Sequence, residues 1–143
     1  LKFPEAKARV AAIGELDPDQ RKAADALLLR LEVGAEASGA GRDPEKRKAV
    51  GKKFAEWWAA GREPTDDDNA VGAFFSLIMA HAQASKDADL FARSLAKIEA
   101  HFGENINKRW VEAQKKILEE RLAAYQASPQ EGASWEDVKN EMK

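Results

Sequence analysis

The feature that most constrains this chain is its punctuation. Asp17-Pro18, Asp43-Pro44, Thr65-Asp66-Asp67-Asp68, Ser85-Lys86-Asp87, Gly103-Glu104-Asn105 and Ser134-Trp135-Glu136-Asp137 each open a stretch whose apolar residues recur every three or four positions. A short polar side chain at such a point accepts a hydrogen bond from an orphan N–H of a helix start, and proline fits the first helical position, where no donor is required. The chain therefore reads as all-α: an up-and-down array or bundle of six main helices with a short C-terminal helix added. Short connections favour antiparallel neighbours, and a closed bundle and an open stack of hairpins are both compatible with them.

The first helix is predicted from about Pro4 to Leu16, with Ala6, Val10, Ile13 and Leu16 on one side. The second starts at Pro18 and carries Ala23, Leu27, Leu31, Gly34 and Ala37 along one face. Leu28, Leu29 and Val33 widen that face, so the helix is expected to touch more than one neighbour. Gly34 costs about 1 kcal/mol relative to Ala and marks a close helix approach or an early helix end, with Ser38-Gly39-Ala40-Gly41 as the loop that follows. The third helix runs from Pro44 to about Ala60, with Val50, Phe54, Trp57 and Trp58 on its apolar side and Gly61 as a stop signal.

The fourth helix, about Asp66 to Ala84, is the most apolar: Val71, Phe74, Phe75, Leu77, Ile78, Met79 and Ala82 cover more than half its circumference, which places it at the centre. The fifth, about Lys86 to Phe102, aligns Phe91, Leu95, Ile98 and Phe102; the sixth, about Ile106 to Gln126, aligns Trp110, Ala113, Ile117 and Ala124. Beyond the linker-like Ser128-Pro129-Gln130-Glu131-Gly132, Ser134 caps a short amphipathic helix carrying Trp135, Val138 and Met142. The expected organisation is one helical domain over 1–127, every helix contributing to its core, followed by a linker and short helix over 128–143.

A chain of 143 residues can bury a real core without staples. With 23 basic and 25 acidic residues the net charge is −2, so no global field attracts nucleic acid or an anionic membrane, and no nucleic-acid partner is expected. The absence of cysteine removes disulfides and thiolate chemistry together. The longest uncharged run, Asn69 to Ser85, contains Asn69, Ser76, His81 and Gln83 and falls short of the about 20 apolar residues of a membrane span, so it is read as a core helix. The chain begins at Leu1 and is read as a fragment or mature form, soluble, from a bacterial cytoplasm or processed for export.

Catalytic and metal-binding constellations are not apparent, and neither an enzyme nor a cofactor is expected. His81 and His101 fall on the flanks of the fourth and fifth helices without any His-x-x-x-His or Glu-x-x-His spacing, and antiparallel packing sets them far apart. Asp66-Asp67-Asp68 reads as a helix start, where carboxylates meet free N–H groups and the positive end of the macrodipole. Gly39-Ala40-Gly41-Arg42-Asp43-Pro44 lacks the third glycine and the Lys-Ser/Thr of a phosphate loop, and no serine stands in a Gly-x-Ser-x-Gly elbow.

What the chain does offer is a basic third helix with two tryptophans. Lys46, Lys48, Lys52 and Lys53 share one broad side, read either as a solvated face that pairs with the acidic start of the fourth helix or as a stripe that meets phosphates or an acidic partner. Trp57 and Trp58 point about 100° apart, so that one enters the core while the other sits at its edge. These six residues form the candidate surface of a non-catalytic helical interaction or scaffold domain, part of a larger protein or complex, with a protein partner. The alternative is a small-molecule or cofactor-binding bundle whose pocket lies between the third, fourth and sixth helices, lined by Trp57, Phe74, His81 and Trp110.

Asp17-Pro18-Asp19-Gln20-Arg21-Lys22-Ala23 and Asp43-Pro44-Glu45-Lys46-Arg47-Lys48-Ala49 nearly match, through shared capping chemistry or a duplicated helical unit. Ala73 to Asn105 resembles a tetratricopeptide repeat: Phe74, Leu77 and Ala80 on a first helix, a turn at Ala84-Ser85-Lys86-Asp87, then Phe91, Leu95 and Ile98 on a second. Ile78 stands where that family usually has glycine, and no proline follows Phe102. The resemblance implies a concave protein-binding surface made from first helices. Asp89 to Arg109, with Leu90-Phe91-Ala92 and the turn His101-Phe102-Gly103-Glu104-Asn105, looks like the helical segments flanking thioredoxin-like domains in some bacterial proteins. That likeness implies an accessory segment of such a protein, although the cysteine pair is missing.

Overall fold

A computed structural model of the chain describes residues 2–127. It contains α1 (Phe3–Ile13), α2 (Pro18–Ala40), α3 (Pro44–Ala59), α4 (Asp68–Ala84), α5 (Ala88–Phe102) and α6 (Lys108–Ala127), with one 3-10 turn at Gly103–Asn105 and no strand among the described residues. The expected short helix after Ser134 lies outside the described residues.

The caps explain the helix starts. Asp17 accepts from the Gln20 N–H at 2.8 Å while the Gln20 side chain accepts from the Asp17 N–H at 3.1 Å, a reciprocal capping box. Asp43 accepts from the Glu45 and Lys46 N–H groups at 2.9 and 3.3 Å. Both near-identical Asp-Pro segments thus open a helix through an aspartate cap. Asp67 accepts from Ala70 at 2.8 Å and Asp87 from Leu90 at 3.0 Å, so α4 and α5 begin two residues later than expected, with these aspartates as caps. At α6 the cap is Asn107, whose side chain accepts from the Trp110 N–H at 3.1 Å, and not Asn105.

Three other expectations need correction. The first helix stops at Ile13 because Gly14 turns at φ 84°, and Ile13 is left 62% exposed instead of joining the inward stripe. The second continues through Ser38, Gly39 and Ala40, and only Gly41, at φ 56°, breaks it. Gly34 is an exposed interior residue of that helix with nothing within 4 Å of the place its Cβ would occupy, so it marks neither a close approach nor an end.

The close approach is at Gly51 in α3. A Cβ there would overlap the Leu77 carbonyl oxygen and lie 2.9 Å from the His81 Cβ. The bare glycine backbone lets α3 settle against α4, and this is the most extensive packing in the molecule. Phe54 then stacks on Phe74 with centroids 5.0 Å apart, and Phe74 meets Phe75 edge-on at 5.0 Å. Such pairs contribute about 0.5–1.5 kcal/mol beyond their buried area.

Helix α4 is the axis, as its composition implied: it packs against α3, α5 and α2, and Phe74, Phe75, Leu77 and Ile78 are fully buried along it. Helix α2 touches α1, α3 and α4, whereas α1 rests on α2 and α6 on α5. The result is an open array around α4, its first and last helices at separate edges. Contrary to expectation, the main apolar cluster draws its buried residues from α2 to α5 only. Helix α1 buries Ala6, and α6 buries Val111 while Trp110 and Leu118 lean against the cluster's edge; Ala113, assigned to the α6 stripe, is exposed. No helix among the described residues is long and apolar enough to cross a membrane.

Candidate interaction surface

Helix α3 is built to be held from below and open above. Asp43 caps it, Pro44 occupies its first turn, and Val50, Gly51 and Phe54 form the buried ridge at three- and four-residue spacing. Lys46, Lys48, Lys52 and Lys53 are exposed. Lys48 pairs with Glu45 at 3.1 Å and Lys53 reaches across to Glu36 of α2 at 3.0 Å. Lys46 and Lys52 have no ion-pair partner among the described residues.

The expected pairing of these lysines with the start of α4 is not formed, because α3 and α4 run antiparallel: Gly51, amid the lysines, lies on Leu77 and His81 in the C-terminal half of α4, far from Asp66–Asp68. Asp67 caps the helix, Asp66 accepts from the Thr65 hydroxyl at 3.0 Å, and Asp68 meets His101 Nε2 at 2.8 Å. Residues 42–53 hold six basic and two acidic side chains in a chain of net charge −2, so the N-terminal half of α3 with its preceding turn is a local positive field.

Both tryptophans lie half-buried at the rim of the core, where one had been expected to enter it. Trp57 leans on Phe54 with centroids 5.1 Å apart and carries the Arg62 guanidinium 4.7 Å above its ring; Arg62 in turn reaches Glu32 of α2 at 3.5 Å. Trp58 meets Phe75 edge-on at 5.1 Å and carries the Arg93 guanidinium of α5 at 5.1 Å, which Asp89 holds at 2.8 Å. The same device, indole then guanidinium then carboxylate, therefore joins the end of α3 to α2 on one side and to α5 on the other. It backs each ring with a cation–π contact of about 0.5–2 kcal/mol at the surface. Arg62, Arg93, Glu32 and Asp89 escaped the sequence reading; the i,i+4 spacing of Asp89 and Arg93 is their only local signal.

The four residues of the alternative pocket are distributed differently. Phe74 is wholly buried against Phe54, Trp57 touches the other side of Phe54, and His81 packs half-buried over Gly51. Trp110 belongs to α6, which packs on α5, and among the described residues α6 makes no extensive contact with α3. Asp68 sits at the start of α4 and His81 13 residues later, about 20 Å along the axis, so His101 on Asp68 and His81 are at opposite ends, as antiparallel packing implied. Among the described residues no group of three or more His, Asp or Glu is placed to hold a metal ion.

Beside the basic face lies a groove of about 470 Å³, open to solvent, between the C-terminal half of α2 and the N-terminal half of α3. Its floor is Ala35, Gly39, Ala40, Ala49 and Val50; Lys46, Lys53 and Glu36 stand at its rim. A wider and more polar depression of about 900 Å³ separates α1 and α2 from the loop after α3, where Lys22, Asp25, Glu32, Arg62 and Glu63 give it mixed charge. Compared with models of protein families, with curated proteins and with solved structures, the chain matches none, so neither the tetratricopeptide nor the thioredoxin-linked resemblance gains support from them.

Proposed function

We propose that this chain is a helical protein-interaction domain, part of a larger protein or complex, whose contact surface is α3. The observation that carries the reading is the pairing of a local positive field with two rim tryptophans pinned by arginine on a rigid α4 platform. Trp and Arg dominate the energetics of protein interfaces, because a large ring that is already ordered loses little freedom when a partner covers it. Rim lysines add orientation and association rate more than affinity.

The test is quantitative capture from nuclease-treated host lysate, with the wild-type chain as bait against Trp58→Ala and a Lys46→Glu/Lys52→Glu double variant. The double variant touches only two lysines of α3 that have no ion-pair partner among the described residues, so its fold is expected to be intact by circular dichroism. A protein retained by the wild type and lost by both variants supports the reading. Equal recovery on all three baits contradicts it.

A further inference from the structure

We infer that the groove between α2 and α3 receives an acidic amphipathic helix of a partner protein. The inference rests on the interaction-domain reading and adds which part of the surface is used and by what chemistry. Two antiparallel helices joined by the short turn at Gly41, Arg42 and Asp43 would ordinarily close on each other along their length. Here both lie on α4, and a gap lined mainly by small residues remains between them.

The shape specifies a helix. Ala35, Gly39, Ala40 and Ala49 present almost no side-chain bulk, which lets the apolar ridge of a third helix come close, in the way amphipathic helices lie in grooves as i, i+3, i+4, i+7 anchors. Val50 and Ala40, buried at the floor, join the groove to the main core, so apolar anchors would extend an existing cluster. The charge specifies an acidic one. Lys46 lines the groove without an ion-pair partner among the described residues, Lys53 is held over it by Glu36, and Arg42, Arg47, Lys48 and Lys52 belong to the same stretch. A basic helix would meet this field unfavourably, and a neutral one would leave Lys46 without counter-charge.

The test selects on the full chain from a phage-displayed library of randomised peptides about 16 residues long, some four helical turns. Selected peptides are then measured by fluorescence anisotropy. Acidic sequences with helical apolar spacing are expected to be enriched, and exchanging their Glu and Asp for Lys is expected to weaken binding by about tenfold or more. Gly39→Leu fills the groove without disturbing the helix, since Gly39 has nothing within 4 Å of its Cβ direction, and is expected to abolish binding while the melting temperature holds or rises. Lys46→Glu is expected to weaken the preference for acidic peptides several-fold.

Enrichment without acidic bias, no enrichment, or binding unaffected by Gly39→Leu overturns the inference. Peptides lost with Trp58→Ala but retained by Gly39→Leu would leave the interaction domain standing and the groove assignment refuted. Retention of anionic vesicles or single-stranded nucleic acid by the same lysines, with no peptide selected, would also refute it.

Discussion

Replacing Gly51 with alanine should destabilise the fold although alanine is the better helix former. Three ångströms or less separates the new methyl from the Leu77 carbonyl oxygen and the His81 Cβ, and both belong to a helix backbone or its first side-chain atom, which cannot swing away. Restoring ordinary contact requires α3 to rise from α4 by about 1 Å, and a gap of that size forfeits roughly a quarter to a half of each dispersion contact across it. Phe54 on Phe74 and Trp58 on Phe75 are the main contacts stretched. Overpacking of this kind costs about 1–3 kcal/mol, and the roughly 1 kcal/mol gained by replacing a helical glycine only partly offsets it. A net loss near 1 kcal/mol, with roughly 3–5 °C per kcal/mol for a domain of this size, gives a fall in melting temperature of about 3–5 °C. Thermal unfolding followed by circular dichroism at 222 nm measures it. Gly34→Ala is the internal control: the same substitution at an open position of α2 should raise stability by about 0.5–1 kcal/mol. Gly51→Ala melting at or above the wild type would refute the close approach of α3 and α4.

Truncating Phe75 or Ile78, both essentially solvent-free on α4, to alanine should cost about 2–5 kcal/mol in urea unfolding through the cavity left behind. Asp67→Ala removes the α4 cap and should cost about 1 kcal/mol in the same assay, whereas Asp66→Ala, one residue earlier with no cap bond, should stay within about 0.5 kcal/mol. Ser94→Ala should also be near neutral, within about 0.5 kcal/mol: its buried hydroxyl only donates back to the Leu90 carbonyl at 2.8 Å, and alanine is the better helix former. Arg93→Ala should release the Trp58 ring on one side, read as a changed indole emission with a stability loss under about 2 kcal/mol.

The helices were legible because their starts are chemically explicit: an aspartate that accepts an N–H works the same way in the sequence and in the folded chain. The centrality of α4 was legible too, since a helix apolar over most of its circumference has to be covered on several sides. The glycines were read less well. Gly34 looked important because it continued the Leu27, Leu31 stripe, but the buried ridge of α2 is Leu29, Val33 and Ala40, more than about 100° round the helix from it. A wide apolar arc does not reveal which of its rows meets the core. Gly51, three residues before Phe54 and seven before Trp58, lay within the stripe of α3 and carried a usable signal that its neighbouring lysines obscured.

The surface was legible only by residue type. That α3 is basic and carries two tryptophans is plain in the sequence, but the partners that orient those rings, Arg62 with Glu32 and Arg93 with Asp89, come from the adjoining loop and from other helices. Lys53 and Lys48 paired with Glu36 and Glu45, not with the aspartates of α4, because the lysine-bearing half of α3 lies against Leu77 and His81, at the other end of α4. The groove depends on Ser38, Gly39 and Ala40 remaining helical, against their composition, and nothing local to the sequence shows that.

The most direct test of the account is amide hydrogen exchange on the full chain, alone and saturated with the protein recovered by α3-dependent capture. The account predicts added protection concentrated between residues 39 and 58, along the end of α2 and the length of α3, with α1 and α6 unchanged. Protection confined to α1 or α6, with α3 exchanging as it does in the free chain, would contradict it.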